Sequence, residues 1–216
     1  MQPSLAVGSV AAEGRGYFYG TARGNPSHAY LLPALDSVIR ERRSAGRAVD
    51  VGCGNGFVTD HLRRKGFDVV GVDPSDAGIR IARSAHPQIP FHQGTAYDDL
   101  AGRLGAFDLV VSLEVVEHLY CPARLADTLW SLTRPGGTCV VSTPYHGYLK
   151  NLGLALLGRL PGHFDPLREG GHIKFFSAPQ LRLLLEGAGF RVQAILRVGR
   201  IPPLANSMVA VAERPS

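Results

Sequence analysis

The chain has 216 residues, of which 45% are hydrophobic and 19% charged, with a formal net charge of +5. That length suits one sizeable α/β domain rather than two, and the composition excludes disordered, collagen-like and membrane-embedded classes. The densest basic run, Arg40, Arg42, Arg43 and Arg47, is broken by Glu41 and Ser44, which fits a solvated helix face and argues against a nucleic-acid partner.

Residues 1–46 read as an N-terminal extension of a single domain. Its first stretch, MQPSLAVGSVAAEG, has no Lys or Arg ahead of a weak apolar run, so it lacks the pattern of a secretory signal. No segment has the apolar length needed to cross a bilayer. The three cysteines, Cys53, Cys121 and Cys139, are far apart without CxxC spacing, which implies neither a disulfide framework nor a zinc knuckle. These features predict a cytoplasmic protein.

From residue 47 short β-rich runs alternate with helical ones, the pattern of a parallel sheet covered on both faces. RAVDVG (47–52) predicts the first strand and FVTDHLRRKG (57–66) a helix. FDVVGVD (67–73) is the second strand, followed by a helix over PSDAGIRIARSAH (74–86) that begins at Pro74. A short third strand falls near IPFHQG (89–94), and FDLVVSL (107–113) is the fourth and most apolar, suited to the sheet centre. PARLADTLWSLTRPGG (122–137) predicts a helix with Arg134 in its last turn and a Pro-Gly-Gly stop, and TCVVSTP (138–144) the fifth strand. The core thus spans 47–144.

Regularity lapses over 145–176, which reads as an insertion serving as a substrate lid. It returns over 177–216 with a helix (178–189) and two strands (190–198 and 206–214). The connection between those strands is too short for a crossover helix, so they should pair antiparallel at the sheet edge. The fold predicted is α/β: a Rossmann-like, seven-stranded, mostly parallel sheet with an antiparallel last strand and helices on both faces.

The chemistry starts at VDVGCGNG, which supplies Asp50, Gly52, Cys53, Gly54 and Gly56 directly after the first strand. Glycines there allow a tight turn and bring backbone amides close to a ligand at a helix N-terminus. Alone, this leaves a nicotinamide cofactor and a methyl donor both open. Asp73, at the end of the second strand, suits a carboxylate that accepts from two ribose hydroxyls, or a helix cap before Pro74. The third glycine of the dinucleotide fingerprint is replaced by Phe57, and the terminal hairpin disfavours a dinucleotide sheet.

Together DVGCGNG (50–56), VGVDPS (70–75), QGTAYDDL (93–100), FDLVVSLEVVEHL (107–119) and RPGG (134–137) resemble the class I S-adenosylmethionine-dependent methyltransferases. The resemblance implies that the Gly52 to Gly56 backbone holds the methionine part of the donor and Asp73, beside Pro74, the ribose. It also implies that Thr95 and Ala96 face the adenine, and that Leu113 packs near the sulfur. Thr95 stands where the superfamily usually has an acid, which leaves the adenine amino group to Asp98 or to backbone.

SLEVVEHL (112–119) puts Glu114, Glu117 and His118 where ligands bind in open α/β sheets. These residues can simply begin the next segment, or His118 can serve as a general base near neutral pH. A third reading comes from resemblance to the O-methyltransferases of ubiquinone biosynthesis, which implies that Glu114, Glu117 and His118 hold a magnesium-type cation. The acceptor pocket of the superfamily is built from the N-terminal extension and the insertion. Here these carry Tyr17, Tyr19, Arg23, His28 and Tyr30, then Tyr145, His146, Tyr148, His163 and His172. With the strand-three His92, they make His118 and His172 the first catalytic candidates.

YLKNLGLALLGRLPGHF (148–164) can bury its leucines as a lid over donor and acceptor, or lie as an interfacial helix on a membrane. Either way it favours an apolar acceptor. STPY (142–145) resembles an amino-methyltransferase motif, but it follows the fifth strand instead of the fourth and lacks a proline, so base methylation is disfavoured. The expectation is methyl transfer from S-adenosylmethionine to a small apolar or aromatic acceptor, at oxygen. N- or C-methylation of a metabolite and a non-catalytic donor-binding scaffold remain as alternatives.

Overall fold

The computed structural model describes residues 21–41, 46–160 and 170–216. Tyr17, Tyr19, Arg42, Arg43, His163 and the 161–164 end of the interfacial stretch lie outside the described residues. In chain order the elements are α1 (His28–Arg40), β1 (Arg47–Val51), α2 (Phe57–Arg64), β2 (Asp68–Asp73), α3 (Asp76–Ala85), β3 (Phe91–Gln93), α4 (Leu100–Leu104) and β4 (Phe107–Leu113). A 3-10 turn at Val116–His118 follows, then α5 (Pro122–Leu132), β5 (Thr133–Pro144), α6 (Tyr148–Leu156), α7 (Ala178–Gly187), β6 (Arg191–Val198) and β7 (Ser207–Glu213).

The strands form one seven-stranded sheet in the order β3-β2-β1-β4-β5-β7-β6. Strands β1 to β5 pair in parallel, and β7 runs antiparallel to both β5 and β6. The terminal hairpin forms as expected, with β7 inserted beside β5 and β6 left at the edge. The two faces of the sheet serve two cores. Phe107 and Val110 of β4 pack with Leu125, Leu129, Leu181 and Leu185 of α5 and α7. Leu109 and Val111 pack with Leu31 and Leu35 of α1, Leu62 of α2 and Ile79 of α3. Both faces of β4 are therefore dry, and each fully buried leucine contributes about 1.5–3 kcal/mol by leaving water.

Three local expectations are corrected. Pro74 does not begin α3: Ser75 caps it, its hydroxyl accepting from the Gly78 amide, and the helix starts at Asp76. Helix α5 ends at Leu132 instead of running to the glycines, because the Thr133 to Gly137 segment is drawn into β5, where Thr133 pairs with Phe107 ahead of a register shift. Arg134 thus leaves the helix end it was assigned to and forms an ion pair with Asp108 at 2.6 Å. The short helix α4, capped by Asp99, was not predicted, since five residues are too few to display helical periodicity.

The sheet order reverses direction between β1 and β4, the switch point where open α/β sheets leave a crevice. The carboxyl ends of β2, β1, β4 and β5 lie side by side there.

Candidate active site

The turn after β1 passes through positive φ at Gly52 (85°), Gly54 (53°) and Gly56 (81°). All three lie in the left-handed region that favours glycine, and at Gly52 and Gly56 close contacts add to that preference. A Cβ on Gly52 would stand 2.3 Å from Val115 Cγ2, and one on Gly56 would stand 2.8 Å from the Phe91 ring. Gly52 can therefore lie against the segment after β4, and Gly56 against β3, only without a side chain. The Gly52 and Cys53 amides both donate to the Val72 carbonyl, at 2.7 and 3.0 Å, and the Gly54 amide donates to Asp73 Oδ2 at 2.8 Å.

Asp73 Oδ1 accepts from the Ser75 amide at 2.8 Å, so its carboxylate joins the glycine loop to the start of α3. Burial pushes this carboxyl up, against the two backbone amides that favour its charge. Beneath the loop, Asp50 is fully enclosed and accepts from the Thr59 hydroxyl at 2.7 Å. Burial pushes Asp50 up to about 7 and the Cys53 thiol well above its usual range. Cys53 is thus a packed residue rather than a nucleophile.

After β3, Thr95 donates through its amide and its hydroxyl to the two oxygens of Asp98, at 2.8 and 2.9 Å. These bonds hold the Asp98 carboxyl below its usual range. Asp98, offered from the sequence as a partner for adenine, shapes its own turn through these bonds. Ala96 is buried beneath it, and its carbonyl accepts from Thr128 of α5 at 2.8 Å. Pro74 is exposed and Leu113 half-buried. The fold brings all ten donor-site candidates to the ends of the adjacent strands β3, β2, β1 and β4.

The three polar residues after β4 separate. Glu114 sits at φ 56°, a left-handed conformation that costs a non-glycine residue about 1–2 kcal/mol. Ser142 holds it there: the Ser142 hydroxyl accepts from the Glu114 amide at 3.0 Å and donates to Glu114 Oε1 at 2.7 Å. The Ser207 hydroxyl donates to Glu114 Oε2 at 3.2 Å. Burial raises the Glu114 carboxyl, while these hydroxyls and the Lys150 ammonium favour its charge.

Glu117 lies in the 3-10 turn and is 1% exposed. Neither of its carboxylate oxygens has a hydrogen-bond partner; Thr143 faces it and favours its charge without completing a bond of ordinary geometry. Burial, and secondarily Glu114, push this carboxyl well above its usual range. Its backbone carbonyl accepts from the amides of Ile173 and Lys174 at 2.9 and 3.0 Å, which brings the insertion onto the turn and His172 with it. The His118 and His172 rings meet edge to face, 4.9 Å between centroids. His118 Nε2 stands 3.9 Å and His172 Nε2 4.0 Å from Glu117 Oε1.

Ligand atoms of Glu117, His118 and His172 lie within 4.8 Å of one another. Of the three residues that the resemblance implied for a cation, Glu117 and His118 stand together with His172 of the insertion, while the Glu114 carboxylate is turned toward Ser142 and Ser207. His118 Nδ1 is 3.1 Å from the Gly171 carbonyl, which can only accept, so a neutral His118 carries its proton on Nδ1 and aims the Nε2 lone pair at the cluster.

The other histidines disperse. His28 stacks on Phe57 with ring centroids 4.8 Å apart, His146 meets the Phe175 ring edge-on at 5.0 Å, and His92 stays on the short strand β3. Among the described residues α6 has no buried member. Tyr148, Leu149, Leu152, Leu156 and Leu157 are exposed, so the leucines are not buried over the donor crevice as a closed lid would have them. Sequence reasoning missed Ser142 and Ser207; nothing in a serine at a strand end distinguishes one that clamps a glutamate 93 positions away from one that faces water.

A family model described as methyltransferase domain matches residues 27–195. The chain is 34% identical over 155 residues to the ubiquinone biosynthesis O-methyltransferase of Azorhizobium caulinodans, covering 69% of this chain and 60% of that one. It is 27% identical over 187 residues to the enzyme of the same name from Aromatoleum aromaticum, covering 84% and 80%. Among solved structures, the magnesium protoporphyrin IX methyltransferase of Synechocystis, with bound S-adenosylhomocysteine, superposes with a TM-score of 0.64 at 21% identity, over 85% of this chain and 83% of that one.

The chain belongs to the methyltransferase domain family, in the class I, S-adenosylmethionine-dependent fold. It spans between about a third and four-fifths of the length of the curated relatives it matches. No described helix is long and apolar enough to cross a membrane.

Proposed function

We propose that this protein transfers a methyl group from S-adenosylmethionine to an oxygen of a small, apolar or aromatic acceptor. The observation that carries this reading is the joining of the glycine loop to Asp73, 2.8 Å from the Gly54 amide, beside an acid and imidazole cluster at the end of β4. Relatives named as ubiquinone biosynthesis O-methyltransferases support oxygen as the methylated atom. In this reading the loop amides and Asp73 hold the donor, and His118 Nε2 takes the acceptor proton. The donor sulfonium is intrinsically reactive, so the protein's work is to align acceptor oxygen, methyl carbon and sulfur and to exclude water.

A divalent cation fits the cluster. The two Glu117 oxygens are buried without hydrogen-bond partners, and the His118 lone pair faces them; that arrangement is repulsive unless a proton or cation lies between. Glu117, His118 and His172 would hold the ion, and one carboxylate with two imidazoles suits manganese, zinc or iron better than magnesium, which prefers oxygen. A bound ion would occupy the His118 Nε2 lone pair and would activate the acceptor hydroxyl in place of that base, by lowering its pKa. The exposed leucines of α6, with the exposed Arg159 just beyond it, support an apolar acceptor met at a membrane surface.

The test is methyl transfer to catechol-type and simple phenolic acceptors, with and without chelator, by wild type, Asp73→Ala and Glu117→Gln. Product with wild type alone, at oxygen, is the expected result. Absence of transfer to every hydroxyl acceptor, with transfer to an amine, would overturn the O-methylation reading. Co-sedimentation with anionic liposomes, lost on Leu156→Ser, checks the membrane contact.

A further inference from the structure

We propose that Asn55 is a positioning residue that latches the segment 21–27 across the donor loop, and so sets how fast the donor arrives and leaves. This rests on the placement of the donor at the glycine loop.

Asn55 is the one residue in GCGNG with a polar side chain. Its Nδ2 spends both hydrogens on a single strap of the N-terminal region, donating to the Thr21 carbonyl at 2.7 Å and to the Arg23 carbonyl at 2.9 Å. Its Oδ1 accepts from the Phe57 amide at 3.3 Å, so the same side chain braces the loop from within. All the polar capacity of the amide that points outward is directed at a segment more than thirty positions earlier.

A second contact reinforces the first. Phe57, the first residue of α2, stacks on His28 at an interplanar angle of 11°. The turn that leads into α1 is closed on itself: the Asn25 amide donates to His28 Nδ1 at 3.0 Å and the Ser27 amide to Asn25 Oδ1 at 3.0 Å. His28 therefore links turn and ring, and the strap presses on the loop at both its ends. The fit is close at Gly24, where a Cβ would lie 2.6 Å from Phe57 Cε1 and 2.8 Å from His28 Nδ1.

These bonds lie at the solvent edge, where exchange with water makes each of them weak. A strap held by two weak donors and one ring stack can open without unfolding the domain, as loops that admit ligands do. A latch differs from a donor contact in its kinetics: loosening it quickens both arrival and release, whereas removing a contact quickens release alone.

The experiment follows S-adenosylhomocysteine binding to the full chain by surface plasmon resonance in wild type, Asn55→Ala, Gly24→Ala and Asp73→Ala, with the melting temperature of each. Gly24→Ala pushes the strap away from Phe57 and leaves every residue of the donor loop itself unchanged. The expected result is a rise of about tenfold in both association and dissociation rates in Asn55→Ala and Gly24→Ala, the size of losing one to two ordinary hydrogen bonds. The Kd then changes far less than either rate. Unchanged rates in both variants, with binding lost in Asp73→Ala, would overturn the latch and leave the donor placement standing. A faster release with unaltered association would also overturn it, and make Asn55 a donor contact. Wild-type affinity in Asp73→Ala would remove the donor from this loop, and the latch with it.

Discussion

Asp73 accepts the Gly54 amide at 2.8 Å through one carboxylate oxygen and the Ser75 amide at 2.8 Å through the other. One side chain therefore fixes the glycine loop of β1 against the helix start that follows β2. In the proposed reading a ribose hydroxyl arriving here would meet a carboxylate already oriented, with lone pairs to spare on both oxygens.

Asp73→Ala should lose donor affinity by about a hundredfold or more, since hydrogen bonds to a charged group contribute about 1.5–3 kcal/mol each and the loop order goes with them. Asp73→Asn, which keeps the shape but cannot accept at both positions, should fall between. Titration calorimetry with S-adenosylhomocysteine reads this directly, and equal Kd values for Asp73→Ala and wild type would contradict it.

Asp50 supplies a pH signature. Its carboxyl is held at about 7 in the folded chain against 3.8 for the ordinary group, so the folded state binds this proton more tightly than the unfolded state does. The stability it confers is complete below about pH 4 and drains away as pH rises toward about 7, by at most about 4 kcal/mol. Asp50→Asn, which can still accept from Thr59, should remove that part of the slope and exceed wild type at pH 8. Urea midpoints at pH 5 and pH 8 measure it, and parallel slopes in the two proteins would sink the assignment.

The serine clamp should matter for stability. Ser142→Ala leaves the Glu114 amide without the hydroxyl and Glu114 Oε1 without its donor, in a residue already strained at φ 56°. A loss of about 1–3 kcal/mol in chemical denaturation is expected. Ser142→Thr keeps the hydroxyl and should retain more of the stability; an undiminished midpoint in Ser142→Ala would show that the clamp is idle.

Cation binding separates the sequence's set from the one the fold assembles. Manganese or zinc should raise the melting temperature of wild type and of Glu114→Gln, and leave Glu117→Gln and His172→Ala unmoved. At a hundredfold excess over Kd the stabilisation is about 2.7 kcal/mol, or several degrees for a chain of this size. A shift lost in Glu114→Gln and kept in His172→Ala would restore the sequence's version.

Much of this was legible from residues alone because it depends on local rules. Glycines after an apolar strand and a βα alternation follow from nearest-neighbour sterics and from the need to bury strand faces, so the mostly parallel sheet with its antiparallel last strand and the glycine turn after β1 were both foreseeable. What the sequence left open was decided by pairing across the sheet. Thr133 reads as helical in its own neighbourhood and becomes strand because Phe107 offers it a partner. Glu114 and Glu117, three positions apart and chemically identical, part company because Ser142 and Ser207 arrive from β5 and β7 to satisfy one and leave the other bare. His172 joins that bare carboxylate only because the amides of Ile173 and Lys174 dock on the Glu117 carbonyl. Spacing along a chain carries no information about such partners: a buried charge is settled by whichever donors the completed fold brings within about 3 Å of it.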